Sequence, residues 1–419
     1  MRANSSRIAS LLLLTSALAL PGLAFAQSAD PNPNVAVQNR PRPDYDPIGL
    51  RAGSFFFYPE LALSGLYDDN VFAADDDEES DFAAILSPSL RAASDFSRHS
   101  LTLDVGAELA RYQDNDELDY EDFYALTGGR LDITREDILS ANLGVKRLHE
   151  DPSDPDFNSG DAEVTKFWQD TASLSYRKNF ARFFTVLGGD FARYDFEDTD
   201  DTNEDDRDRN QYAGRLRVGY EISPRLAAFV QGLYDIRRYD ETPDDQGRDR
   251  DSEGYSVRAG TEIDITSILF GEVGFGYTTR TYDDDDLDSV NGFGFGGKLT
   301  WNVTPLTTIG LDAEGEIQET TVGEGNNEAS ANFQKKVILD VNHELLRNVL
   351  LNGNVGYIRD DFEGIDRTDN TLRAGAGVSY LLNRHLSLDA TYDFSTRDSD
   401  ENDEEYTRNR FLVGITGKL

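Results

Sequence analysis

Residues Asn210 to Tyr239 read NQYAGRLRVGYEISPRLAAFVQGLYDIRRY, and this stretch decides how the chain folds. Every second place is apolar, aromatic or glycine: Tyr212, Gly214, Leu216, Val218, Tyr220 and Ile222, with Ala213, Arg215, Arg217, Gly219 and Glu221 between them. After Ser223-Pro224-Arg225 the alternation resumes at Leu226, Ala228, Val230, Gly232, Tyr234 and Ile236. A period of two sends successive side chains to opposite faces of a strand, so the stretch predicts an amphipathic β-hairpin with a short turn.

The same unit repeats about nine times. From Phe55 onward there are eighteen candidate strands, the first near Phe56 to Tyr67 and the last near Tyr406 to Leu419. Tight turns alternate with long loops. The turns fall near 95–98, 134–137, 178–182, 223–225, 266–268, 304–306, 346–348 and 383–385. The loops are acidic, as in Asp75-Asp76-Asp77-Glu78-Glu79, Asp200-Asp201 and Asp283-Asp284-Asp285-Asp286. This predicts an all-β fold, a transmembrane antiparallel up-and-down β-barrel of about 18 strands, with short periplasmic turns and long acidic extracellular loops. Sixteen or twenty strands would also bring both chain ends to one side. A soluble β-sandwich would need a buried face richer in Val, Ile and Leu and two protected edges.

Composition agrees. The chain has 419 residues, no Cys and a formal charge of −39. After residue 26 no apolar run approaches the ~20 residues of a spanning helix, and a barrel escapes such scans because alternate residues are polar. The acidity argues against nucleic acid, whose phosphates attract Lys and Arg. Met1 to Ala26 has a basic start, an apolar stretch and Ala24-Phe25-Ala26, the pattern of a cleaved signal peptide. Residues 27–54 are rich in Pro and are expected to be extended, weakly ordered and periplasmic at their start. A passive tail, a partner contact and a lumen plug are all open for them. The barrel occupies 55–419.

Tyr67, Tyr112, Tyr194, Tyr212, Tyr239, Tyr255, Tyr282 and Tyr406 sit where strands meet long loops. Trp168 lies near an outer end and Trp301 near a periplasmic turn. Such rings are expected to form interface girdles. About eighteen strands would enclose an aqueous lumen. Inward positions include Arg215, Arg217, Arg258, Arg373, Glu221 and Glu262, with Gly219, Gly260, Gly375 and Gly377 leaving room. These charges either pair and hydrate the wall or form a path for anionic solutes. No loop is apolar or conspicuously long, which favours a wide or externally gated opening over a tucked-in constriction.

Other chemistry is sparse. Asp154-Pro155-Asp156-Phe157-Asn158-Ser159-Gly160 approximates a calcium loop, but its Gly is one place late and Thr165 stands where a bidentate Glu belongs. No specific metal site or cofactor is expected, only diffuse Ca²⁺ or Mg²⁺ between loop carboxylates and lipopolysaccharide phosphates. The histidines are His99, His149, His343 and His385, and no hydrolase or metalloprotease motif is present. His149, Asp151 and Ser153 have hydrolytic residue types, but such residues coincide by chance in loops; an enzyme is not expected. The last strand, Arg410 to Leu419, alternates as barrel-assembly machinery requires, though it ends in Leu and carries Gly417 where a large apolar residue is usual.

One region is more specific than periodicity. Arg42-Pro43-Asp44-Tyr45-Asp46-Pro47-Ile48-Gly49, then Gly53-Ser54-Phe55, Tyr58-Pro59-Glu60-Leu61, Tyr67-Asp68-Asp69-Asn70-Val71-Phe72 and Ser87-Pro88-Ser89-Leu90 resemble the opening of the putative β-barrel porin 2 family of Gram-negative outer-membrane proteins. Asp68-Asp69-Asn70 suits a turn leaving the first strand, because Asp and Asn cap their own backbone. The resemblance implies an outer-membrane barrel associated with exopolysaccharide export, with polysaccharide or periplasmic export components as partners beside lipid and lipopolysaccharide. It carries no catalytic residues. A general diffusion porin and a non-conducting structural barrel are the alternatives.

Overall fold

A computed structural model describes residues 35–157, 163–199, 203–265, 268–324 and 327–419. The signal peptide expected at 1–26 lies outside them, as do Asn158 to Gly160, Asp200-Asp201 and Thr266-Ser267. Eighteen long strands follow in order. They are β1 (Phe55–Asp68), β2 (Asp81–Ser94), β3 (Ser100–Tyr112), β4 (Tyr120–Asp132), β5 (Asp137–His149) and β6 (Lys166–Phe180). Next come β7 (Phe183–Glu197), β8 (Arg209–Ser223), β9 (Leu226–Tyr239), β10 (Ser252–Ile265), β11 (Leu269–Tyr282) and β12 (Phe295–Thr304). The last six are β13 (Thr307–Gln318), β14 (Ala331–Leu346), β15 (Val349–Glu363), β16 (Thr368–Asn383), β17 (Leu386–Ser399) and β18 (Tyr406–Lys418). Two three-residue pieces, Leu50–Ala52 and Val290–Gly292, extend the sheet beside β1 and β11.

Each strand pairs antiparallel with its sequence neighbours, and β1 pairs with β18 from Glu60↔Lys418 to Asp68↔Arg410, closing the sheet into a barrel. Closure leaves none of the eighteen long strands at a sheet edge. The opening hairpin shows why the sequence folds this way. Its register sets Leu216 opposite Gly232, Val218 opposite Val230 and Tyr220 opposite Ala228. Leu216, Val218, Tyr220 and Val230 are exposed, whereas Arg217, Gly219 and Phe229 on the other parity are buried. The wall is therefore apolar outside and charged inside, the reverse of a soluble barrel and the arrangement a lipid surround demands.

The N-terminal segment departs from expectation. Residues 35–46 are not a loose tail: a 3-10 turn at Val37–Asn39 packs inside the short-turn end of the bore. Val37 lies among Leu350 and Leu381, and buried Arg42 reaches Glu344 at 3.0 Å. Composition cannot reveal this, because Glu344 is 302 residues away.

Candidate functional site

The inner wall of β6 to β11 collects charge near the short turns. Arg217 reaches Glu272 at 2.8 Å and Glu262 at 3.1 Å, and Arg177 lies 3.6 Å from Glu262. The two guanidinium groups also lie over aromatic rings, Arg217 on Phe229 and Arg177 on Phe184, each at 4.0 Å from the centroid. Phe184 covers Gly219 and Phe229 covers Gly260, so tightly that a methyl at either glycine would collide. These glycines thus seat rings from the neighbouring strand rather than leaving room in the bore, a correction to the sequence expectation. Gly375 and Gly377 are filled likewise by Asn354 and Asn352.

The candidate arginines divide into two kinds. Arg217 is consumed by its ion pairs, and Arg215 lies 3.5 Å from Asp190. Arg258 arches over Gly274 and Gly296, and Arg373 lies beside Gly356. Among the described residues neither has a carboxylate within 4 Å, and the Arg373 Nε is buried without a partner. Glu221 sits on the inward parity of β8, and Glu262 serves two arginines.

The long-loop end is not wide open. The chain after β5 crosses the bore. Its Glu150 binds Arg207, from the loop before β8; Asp151 takes Arg408 at 2.7 Å and Arg410 at 3.5 Å from β18. The Ser153 carbonyl accepts from Arg397 of β17, and Asp156 accepts from Thr320 and Thr321 in the loop after β13. That second loop is itself pinned inward: Glu319 binds Arg237 and the Tyr239 hydroxyl, and Arg250 ties Glu328, Asp244 and the Thr320 carbonyl. The sequence expectation was a wide or externally gated opening with no tucked-in loop; the loops do turn inward, held by arginines far away in the chain and, for the loop after β5, by Phe157 and Val164 packed on the cluster of Leu66 and Val71. Burial, with the like charges of Asp151 and Glu150, pushes the Asp154 carboxyl well up, and one of its oxygens has no hydrogen-bond partner. Burial would also raise Asp151, but Arg408 and Arg410 outweigh it and hold that carboxyl low.

The motif residues close the seam. Asp68 is fully buried and receives Arg408 at 2.6 Å, while Asp69 accepts from the Asn409 backbone at 2.6 Å and its side chain at 2.7 Å. Asn70 donates to the Ala74 and Thr407 carbonyls and accepts from the Ala74 amide. The Asn70 amide donates to the Asp68 carboxylate at 3.1 Å, the local turn the sequence predicts; the bonds to β18 are the part it does not show. Phe72 packs on the cluster of Leu66, Val71, Ile85 and Val164. Tyr58 is buried against Gly49, whose φ of +74° and lack of Cβ allow that approach. Tyr67 packs at a tilt between Phe82 of β2 and Phe411 across the seam. Pro59 accepts from the Leu419 amide where β18 runs out, so its missing N–H costs only the last rung.

Trp168 and Trp301 are exposed on the outer face, at 40% and 47%, towards opposite ends of the barrel. The tyrosine girdle needs correction. Tyr212 and Tyr255 face outward, but Tyr194, Tyr239 and Tyr406 are buried on the inner parity, beneath Arg209 and Arg397. Position near a loop does not decide the face; strand parity does. His149 stacks on Tyr120 and binds Asp122 at 3.0 Å, while Ser153 donates to Asp151, so the three hydrolytic residue types do not converge.

The sequence profile described as Putative beta-barrel porin 2 matches residues 42–419. No curated protein matches the chain. Among solved structures, OpdL of Pseudomonas aeruginosa is similar at 14% identity over 88% of this chain and 100% of its own, with a TM-score of 0.44. A BenF-like porin from Pseudomonas fluorescens Pf-5 shares 12% over 87% and 99%, with a TM-score of 0.46. OccAB4 of Acinetobacter baumannii shares 12% over 91% and 100%, at 0.43. Likenesses this distant say nothing about solute.

Proposed function

Since the chain belongs to the Putative beta-barrel porin 2 family, and is thus an outer-membrane porin-type barrel, we propose that it passes hydrophilic solutes, anions in preference, and serves the outward movement of acidic exopolysaccharide. The anion preference rests on one observation: Arg258 and Arg373 project from inner walls six strands apart with no carboxylate within 4 Å among the described residues, each facing a single carboxyl at longer range, Glu314 and Asp154. An unpaired cation in a low-dielectric wall raises the local concentration of anions, whereas paired charges such as Arg217 largely cancel. The exopolysaccharide link is supported by the resemblance carried by Arg42 to Leu90. Exposed carboxylates of the long loops, such as Asp75 to Glu79, would bridge lipopolysaccharide phosphates through Ca²⁺ or Mg²⁺. Catalysis has no part in this reading.

Replacing Arg258 and Arg373 together with Gln should shift the reversal potential in a salt gradient towards cation preference, while leaving the barrel folded. An unchanged reversal potential discards the anion path. The second reading, a non-conducting structural barrel, is favoured by the loop held across the bore; absence of any current in wild type would select it.

A further inference from the structure

We propose that residues 35–46 are a built-in plug that narrows the short-turn mouth and is latched by one buried ion pair, Arg42 with Glu344. This rests on the pore reading above. The segment touches inner-parity positions of four consecutive strands: Thr308 on β13, Glu344 on β14, Leu350 on β15 and Leu381 on β16. All four lie within a few residues of the short turns, so the segment sits inside the mouth and not against its outer rim.

The segment is shaped for this place. Val37 is 1% exposed in the pocket of Leu350 and Leu381, and its amide donates to Thr308 Oγ1 at 2.9 Å. Thr308 Oγ1 in turn donates to Asn302 at 2.7 Å, so the docking bond belongs to a continuous buried chain. Arg42, 2% exposed, does two jobs: it donates to the Val37 carbonyl at 2.9 Å and to the Glu344 carboxylate at 3.0 Å. One guanidinium therefore both folds the segment on itself and ties it to the wall. Arg40 adds a bond to the Pro305 carbonyl in the β12–β13 turn. From Ile48 to Ala52 the chain is largely exposed again before pairing with Phe55–Phe57, so the docked stretch is bounded and hinges at Gly49 and Gly53, both with left-handed φ. One ion pair, two hydrogen bonds and a small apolar contact hold the segment to the wall, fewer ties than the loops at the other end carry.

The test uses the absence of native Cys. Leu350→Cys is introduced into the otherwise complete chain, into a chain lacking residues 27–46, and into one carrying Glu344→Gln. Each is labelled in liposomes with a membrane-impermeant maleimide, and each background without the Cys is recorded in planar bilayers. Labelling should be at least tenfold faster in the deletion and intermediate with Glu344→Gln, and conductance should rise in the same order. Equal labelling rates overturn the docking. Protected labelling with identical conductance in all chains overturns the plug while leaving the pore intact. Silence in every folded chain overturns the pore reading, and the plug with it.

Discussion

Arg408 joins the first strand, the last strand and the loop that crosses the bore. Its Nε reaches Asp68 at 2.9 Å and its Nη1 reaches Asp151 at 2.7 Å, and all three side chains are largely or wholly buried. Arg408→Gln would leave buried Asp68 without its cation and Asp151 with Arg410 alone, a loss of about 3–5 kcal/mol. The temperature at which the folded, fast-migrating form converts to the slow form on a detergent gel should fall markedly. No change would mean that the seam is held by its ladder alone. The motif Asp68-Asp69-Asn70 was legible as a turn because an Asx cap is a local device. Its second use, gripping Arg408 and Asn409, joins residues 340 apart and leaves no local trace.

Strands and loops differ in what a sequence can say about them. The strand faces follow from a period of two, and the exposed run from Tyr212 to Ile222 repeats what the letters predict. Loop destinations do not follow from any period. Asp156 meets Thr320 across 164 residues and Ser153 meets Arg397 across 244, so the inward fold of these loops is a property of opposing walls. Electrostatics makes this testable. Burial would raise the Glu319 carboxyl, but Arg237, Arg280 and Arg209 outweigh it and hold it down to about 2. A depressed carboxyl contributes stability that is complete above its unfolded value of about 4.3 and is lost as pH falls through about 2. The melting-temperature gap between wild type and Glu319→Gln should be full near neutral pH and should close through that acid window. A gap that persists unchanged below it would show that the Arg237 hub contributes through packing and not charge.

On the scale of the whole molecule, closure into eighteen strands provides a lumen too wide for its own wall side chains to fill, unlike an eight-stranded barrel. What narrows it comes from elsewhere: two inward loops at one end and the N-terminal segment at the other. A sealed barrel and one with an aqueous path beside Arg258 and Arg373 differ in a single recording. The purified barrel, reconstituted in a planar bilayer, should give discrete current steps with anion preference in a salt gradient. A barrel shown to be folded by its heat-modifiable migration, yet silent at every voltage, would contradict the account that this chain is a conducting pore.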